Sequence, residues 1–542
     1  MIPASPAAAR SRRAFGDDRA TRLAALVPAL VFLVAALVAL PDVGISVDEP
    51  LHFIYGEGIL RFFATLGRDR SLFDIETAAW YGGVYDAIGT LATRALPAVP
   101  RHLPRHALTV LLATAAIYGT GRIAGLLGGA GAAATASTLL LLTARWSGHA
   151  LFDPKDIPFS AGYVAALYAL QRWTRELPRP RAALWVGVAL GTAAALAVRV
   201  AGLLALFYLA VVAALHTLRR TRAERSRSVA LRRLVSLVPP ALLAGLSAFA
   251  LTVAGWPYLW AAPLTNFVTL ARVSSDFPWR GNVFFLGRFV RAGETGPLYI
   301  PVWLAVGLPL ATFAGLALAL YWAARRRLRA AGPPEAIAVP LLGALFPIAW
   351  VMASDPVLYN GFRHLLFVVP PLCVLAALGL RATWLAAAGR PRLRSALAAA
   401  LCALLLEPLV WLVRSHPYQY VYFNPLAGGL ARASHRFTGD YWRLSLRAAA
   451  IELDRLADAE PGDGPVYVRI PHKTACLTDF LRPGSRVHLA RRTQPEGREA
   501  RLELEFTQER IHRALARRGA DVVHAERVVP GQVPFFVILR SP

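Results

Sequence analysis

Leu23–Leu40 reads LAALVPALVFLVAALVAL, a run without a single charged side chain. An α-helix rises about 1.5 Å per residue, so about 20 such residues cross the hydrocarbon core of a bilayer. The run has company at Ile123–Thr143, Leu234–Trp256, Leu298–Trp322 and Leu365–Leu380. Across 542 residues 56% are hydrophobic and the mean hydropathy is +0.45, more apolar surface than a water-soluble fold can bury. The expectation is an all-α polytopic membrane protein. Counting runs and alternating sides predicts about eleven transmembrane helices, with short hairpins at Gly119–Arg122 and near Arg199.

The charges between the runs predict the orientation, because Lys and Arg resist translocation. Arginine clusters occupy 172–181, 219–233, 325–329 and 390–394, and the first 21 residues form a basic tail with Arg10, Arg12, Arg13 and Arg19. All five are expected in the cytoplasm. The alternate connections, 42–106, 149–156, 257–297 and 354–363, mix acidic and aromatic residues and are expected outside a bacterial inner membrane. The net charge of +26 then belongs to a basic fringe against anionic lipid, and nucleic acid is not an expected partner. The first run exceeds the apolar stretch of about 7 to 15 residues typical of a cleaved signal peptide, so an uncleaved anchor is expected. The three cysteines, Cys373, Cys402 and Cys476, offer neither a disulfide framework nor a metal cluster.

The helical part is expected over 22–414. Beyond it, long apolar runs stop and strand-like segments such as Val466–Ile470 and Phe535–Leu539 follow a helical stretch at Tyr441–Leu456. Residues 415–542 therefore read as a small extracytoplasmic α/β domain.

Polar residues crowd the outward connections. Asp48-Glu49 directly follows the first run, and on a helix Asp48, His52 and Tyr55 share one face at i, i+4 and i+7. The plain alternative is a helix start, where acids and Pro50 are at home. His149-Ala-Leu-Phe-Asp153-Pro-Lys155-Asp156 packs one of only two lysines, Lys155 and Lys473, beside two carboxylates. Lys155 suits a phosphate, and the carboxylates suit either a divalent metal ion or the lysine itself. Arg199 and Arg363-His364 end two further spans, and Arg363 has the fork that grips phosphate. Glu407, beside Pro408 in the last run, reads as structural, and the aromatics of 257–297 read as an interfacial belt with an alternative role in holding a prenyl chain.

At these residues the chain resembles the C-type glycosyltransferases, in the branch of the protein O-mannosyltransferases and aminoarabinose transferases. The likeness rests on Asp48-Glu49 after the first span, on His149–Phe159 around Asp-Pro-Lys-Asp, and on Asn360-Gly-Phe-Arg363-His364. His416–Pro425 through Asp440-Tyr-Trp442 also resembles the junction of bacterial members. The resemblance implies an inverting transfer of sugar from a polyprenyl-phosphate donor to an envelope acceptor, with Asp48 as base and Glu49 beside it. It implies Lys155, Arg363, His364 and Arg199 around the donor phosphate, with Asp153, Asp156, His149 and His52 in support or on a metal. Pro50 and Leu51 depart from the small residue usual after the acidic pair, and no β-trefoil domain is visible, which weakens protein as the acceptor. The rivals are a lipid or glycan transporter, which predicts charges near the bilayer midplane and inverted repeats, and a non-catalytic envelope scaffold.

Overall fold

The computed structural model describes residues 18–75, 80–224, 227–328, 330–470, 475–491, 500–506, 511, 521–528 and 533–540. Most of the basic tail, Arg329 and Lys473 lie outside the described residues. Asp18 opens the first helix, α1 (Arg19–Ala39), by accepting a hydrogen bond from the Thr21 backbone at 2.8 Å. Two short helices of the first connection follow, α2 (Glu49–Ala64) and α3 (Val84–Ala95). Next come α4 (Leu103–Leu141), α5 (Ala144–His149), α6 (Asp156–Thr174), α7 (Ala182–Leu196), α8 (Leu204–Glu224) and α9 (Arg227–Gly255).

Among the described residues seven helices are long and apolar enough to cross a membrane, or eight if one bent pair is a single span. The protein is a multi-pass membrane protein. The element α4 is two limbs, not one rod, because Gly129 has φ 74° and ψ −169°, a conformation reserved for glycine. The chain folds back there: a Cβ on Gly121 would lie 2.1 Å from the Ser137 hydroxyl, and that hydroxyl donates to the Ile117 carbonyl at 3.1 Å. The reversal expected at Gly119–Arg122 is therefore displaced to Gly129. Gly121 instead lets the returning limb pack tightly. The second limb, α6 and the short apolar α7 pack alongside these helices.

The limb from Leu103 to Gly128 is about 40 Å long at 1.5 Å per residue. Its far tip meets the basic connections: Arg175 donates to the Leu126 carbonyl at 2.5 Å, and the Ala331 amide donates to the Leu127 carbonyl at 2.7 Å. Its near end meets the acidic first connection, where Glu49 and His106 are 2.7 Å apart. Arginine clusters and polar outward connections thus occupy opposite ends of the bundle.

The connection at 257–297 folds into α10 (Pro263–Ser275) and an antiparallel hairpin, β1 (Asn282–Phe285) with β2 (Arg288–Arg291). After it, α11 (Tyr299–Gly307) and α12 (Leu310–Ala324) meet at 114°. A break of this kind strands carbonyls in an apolar setting. Asn424 satisfies them: its side-chain amide donates to Ala305 and Leu308 at 2.7 and 2.8 Å, and its backbone amide to Val306 at 2.9 Å. The bundle closes with α13 (Ala338–Ser354), α14 (Val369–Ala386) and α15 (Pro391–Arg414). Glu407 in α15 accepts from the Tyr422 hydroxyl at 2.6 Å.

Tyr418, Tyr420 to Phe423, Leu430, Phe437, Tyr441 and Trp442 are buried in the same apolar core as the bundle. A second core begins at Leu446, in α16 (Leu446–Ala459), which covers a five-stranded mixed sheet. Its strands are β3 (Val466–Ile470), β4 (Val487–Arg491), β5 (Leu502–Glu505), β6 (Val522–Val528) and β7 (Val533–Arg540), in the order β4-β3-β5-β7-β6. β3 runs parallel to both neighbours, whereas β7 runs antiparallel to β5 and β6. Ile45 and Phe53 of the first connection belong to this second core, so the sheet is docked beside Asp48.

Gly129→Ala should lower the stability of the detergent-purified protein by about 1–3 kcal/mol. Gly131→Ala, where an added Cβ meets nothing within 4 Å, should leave it unchanged or slightly higher; thermal unfolding of both variants measures the contrast.

Candidate active site

The near end of the bundle holds a cavity of about 480 Å³ lined by Asp48, His52, Tyr81, Lys155, Tyr359, Arg363 and Trp442, with aromatic side chains of the 257–297 connection along one wall. Asp48 ends the extended segment after α1 and is pinned there, since the Val47 amide donates to the Trp442 carbonyl at 3.2 Å. Lys155 arrives from the connection between α5 and α6. Its own turn is fixed by Asp153, whose Oδ1 accepts from the Lys155 and Asp156 amides at 3.0 and 2.8 Å. Arg363 is delivered by Asn360 and Gly361, both left-handed at φ 59° and 75°, which suits Asn and Gly and reverses the chain into the site.

Lys155 Nζ lies 2.7 Å from Asp48 Oδ2, linking positions 107 residues apart. The same ammonium faces the Tyr81 ring at 4.9 Å and the Trp442 ring at 5.8 Å. Arg363 lies over Trp442 at 4.5 Å and over Tyr359 at 4.8 Å, and its Nη1 is 3.6 Å from Asp156. Arg363 Nε and Nη1 are sealed from the cavity, Nη1 toward Asp156, so Nη2 is the guanidinium nitrogen left for a cavity ligand. Arg199 pairs with Asp156 from the other side.

Burial pushes the Asp48 carboxyl up, but Lys155 and Arg363 outweigh it and hold Asp48 well below the carboxylate range. Lys155 is held protonated by Asp48 against the opposing effect of burial. Burial and the neighbouring Asp156 push the Asp153 carboxyl well above its ordinary value. Three cations (Lys155, Arg199, Arg363) thus lie among three carboxylates (Asp48, Asp153, Asp156).

Other residues singled out in the sequence take different places. Glu49 points away from the cavity and accepts from the Ser46 amide at 2.6 Å while it pairs with buried His106. His149 is buried; its Nδ1 donates to the Arg145 carbonyl at 2.6 Å and its Nε2 accepts from the Tyr441 hydroxyl at 2.9 Å. Burial pushes this imidazole down to about 3, so it is a neutral prop for Tyr441, which lines the cavity. His364 turns its edge to the Tyr359 ring at 4.7 Å. His52 lines the cavity and its Nδ1 lies 3.0 Å from Asp86. Tyr359 also stacks on Trp279 at 4.2 Å, which ties the site to the aromatic connection.

Asp86, Arg105, Tyr81 and Trp442 were not among the candidates. Asp86 sits among unremarkable residues of α3, whereas Trp442 falls within the junction motif and was within reach. As for metal, no three His, Cys, Asp or Glu side chains converge among the described residues. At the cavity Asp48 is paired with Lys155, and Asp440 is taken up by the Tyr420 hydroxyl and the Leu444 and Ser445 amides, so this donor set does not fit a divalent ion.

The contrast between the two adjacent acids is testable. Glu49→Gln should lower thermal stability by about 1–3 kcal/mol, because it weakens a buried charge-assisted contact with His106. Asp48→Asn strips buried Lys155 of its carboxylate and should cost about 3 kcal/mol or more, the larger of the two losses.

No family model matches the chain, and no curated protein matches it. Among solved structures it is similar to ArnT from Cupriavidus metallidurans in the apo state, at 15% identity and TM-score 0.48, covering 94% of this chain and 97% of that one. It is also similar to the same protein bound to undecaprenyl phosphate, at 15% identity and TM-score 0.47, covering 95% and 97%. A third likeness is to the archaeal oligosaccharyltransferase AglB from Archaeoglobus fulgidus, at 16% identity and TM-score 0.44, covering 84% of this chain and 64% of that one. At this degree of likeness the chemistry has to be read from the site itself.

Proposed function

We propose that the protein is an inverting glycosyltransferase that moves a sugar from a polyprenyl-phosphate donor to an envelope acceptor, a lipid, polysaccharide or protein, at the outer face of a bacterial inner membrane. One observation carries the reading: a carboxylate, Asp48, shares a cavity with two buried cations, Lys155 and Arg363. Glycosyl transfer requires a base near the attacking hydroxyl and positive charge where the phosphate departs.

In the reaction the acceptor oxygen forms a bond to the anomeric carbon from the face opposite the phosphate. The carbon–oxygen bond to the phosphate breaks, and the polyprenyl phosphate leaves with that electron pair. Asp48 takes the acceptor proton. Before the donor binds, Lys155 holds Asp48 too acidic to be an effective base. A donor phosphate competes for Lys155 and Arg363, which weakens their hold on Asp48 and raises its basicity only when the donor is in place. Binding and base activation are thereby linked. Arg199 acts at one remove, through Asp156.

The reading supplies two tests. Lys155→Met and Arg363→Met should each weaken binding of farnesyl phosphate to the purified protein about tenfold or more, the loss of one charge-assisted contact. Mass spectrometry of envelope lipids, polysaccharides and glycoproteins should show one sugar-mass increment missing in cells without the gene. Wild type should restore it and Asp48→Asn at matched abundance should not. Full restoration by Asp48→Asn would sink the base assignment and favour a transporter or a scaffold.

A further inference from the structure

His52 lies one helical turn beyond Asp48 in α2, and its backbone amide donates to the Asp48 carbonyl at 3.4 Å. The ring is buried at 2% exposure yet lines the cavity. Its Nδ1 donates to Asp86 Oδ2 at 3.0 Å, and Asp86 Oδ1 in turn accepts from Arg105 Nη1 at 3.1 Å. Arg105 spends its other nitrogen on the His52 carbonyl (3.2 Å), the Asp86 carbonyl (3.1 Å) and the Thr90 hydroxyl (2.9 Å). Space for that fork exists only because position 56 is glycine; a Cβ there would lie 2.7 Å from Arg105 Nη2 and 2.2 Å from the Thr90 hydroxyl.

A salt bridge alone would not need the ring. Asp86 and Arg105 satisfy each other, and the imidazole adds a third buried polar group whose orientation they fix through Nδ1. Nε2 is neither enclosed nor hydrogen-bonded among the described residues, so it opens toward the cavity. The groups around the ring are Asp48 on its own helix, Asp86 from α3, Arg105 from α4, and the Tyr81 ring at 6.2 Å, with Lys155 beyond Asp48. A carboxylate behind an imidazole stabilises the imidazolium that forms when the front nitrogen takes a proton.

We propose that His52 is a proton-handling residue of this site, receiving at Nε2 the acceptor proton that Asp48 removes, with Asp86 and Arg105 as its positioning residues. The proposal rests on the glycosyl-transfer reading and deepens it. A proton left on Asp48 can return to the acceptor oxygen, so a neighbouring group that keeps it commits the transfer. The balance is complete: the acceptor loses its proton to His52 by way of Asp48, the new glycosidic bond forms, the bond to phosphate breaks, and the imidazolium later releases its proton to solvent through the cavity.

The experiment follows the rate at which the sugar-mass increment returns after induction of the gene in null cells held at external pH values between about 5 and 8, the range over which histidine ordinarily titrates. Wild type should lose rate on the acid side, because a proton on Nε2 blocks the transfer. His52→Gln should lower the rate about 100-fold at neutral pH and abolish that acid limb, while affinity of the purified protein for farnesyl phosphate stays within twofold. Asp86→Asn removes the charge that stabilises the imidazolium, so its acid limb should move to lower pH. A wild-type rate and acid limb in His52→Gln would overturn the proposal, and so would an unmoved limb in Asp86→Asn if His52→Gln fails to accumulate. Asp48→Asn separates the two claims: if it is inactive while His52→Gln behaves as wild type, only the relay fails, and if both are active the transferase reading fails as well.

Discussion

Burying a cation at the end of an apolar bundle costs several kcal/mol unless it is paired, and leaving one partner behind costs as much again. Lys155 and Arg363 meet that cost with Asp48 and Asp156, and the four charges come from three distant parts of the chain. The surrounding architecture serves this arrangement. The first connection is pinned to the junction through Val47 and Trp442, the turn before α6 is wound around Asp153, and Asn360-Gly361 reverses the chain so that Arg363 enters from α14's side. Trp442 lies under both cations and replaces water with a polarisable face.

The junction from Tyr418 to Leu444 has more than a linking role. Tyr420, Tyr422, Phe423 and Trp442 are all buried, Asn424 repairs the break between α11 and α12, and Tyr441 reaches back to His149. Arg443 follows Trp442 in the left-handed region at φ 57°, a conformation that costs a non-glycine residue about 1 kcal/mol or more and is held here by its stacking over Phe506 of the sheet domain at 4.1 Å. Cavity, bundle and sheet domain therefore share walls. A displacement of the sheet domain would be felt at Trp442 and hence at both cations.

Electrostatic pairing also sorts the side chains of the site. Asp48 and Lys155 neutralise each other, while Arg363 turns Nη1 toward Asp156. The three histidines of the region divide accordingly. His149 is a neutral prop with both nitrogens engaged, His106 anchors Glu49, and His52 keeps one nitrogen toward the cavity.

Much of this was legible in the residue string. Apolar runs of bilayer length and clusters of arginine report the solvent each segment prefers, a local property, and they sufficed for an all-helical membrane fold with basic and polar ends. Lys155 stood out through rarity and Arg363 through its motif, and both meet at the cavity. Sequence could not tell Asp48 from Glu49, because one residue of helix rotation decides which acid faces the cavity and which faces His106. Nor could it locate the hairpin at Gly129, since glycine is frequent in this stretch and only packing against Ser137 and Ala133 selects where the chain turns. Asp86 and Arg105 were invisible for the same reason: their significance lies in partners 34 and 53 residues away along the chain at His52. Composition and periodicity determined the medium and the architecture; the pairing of buried charges, which depends on angstrom-scale distances between remote segments, was decided by the tertiary structure alone.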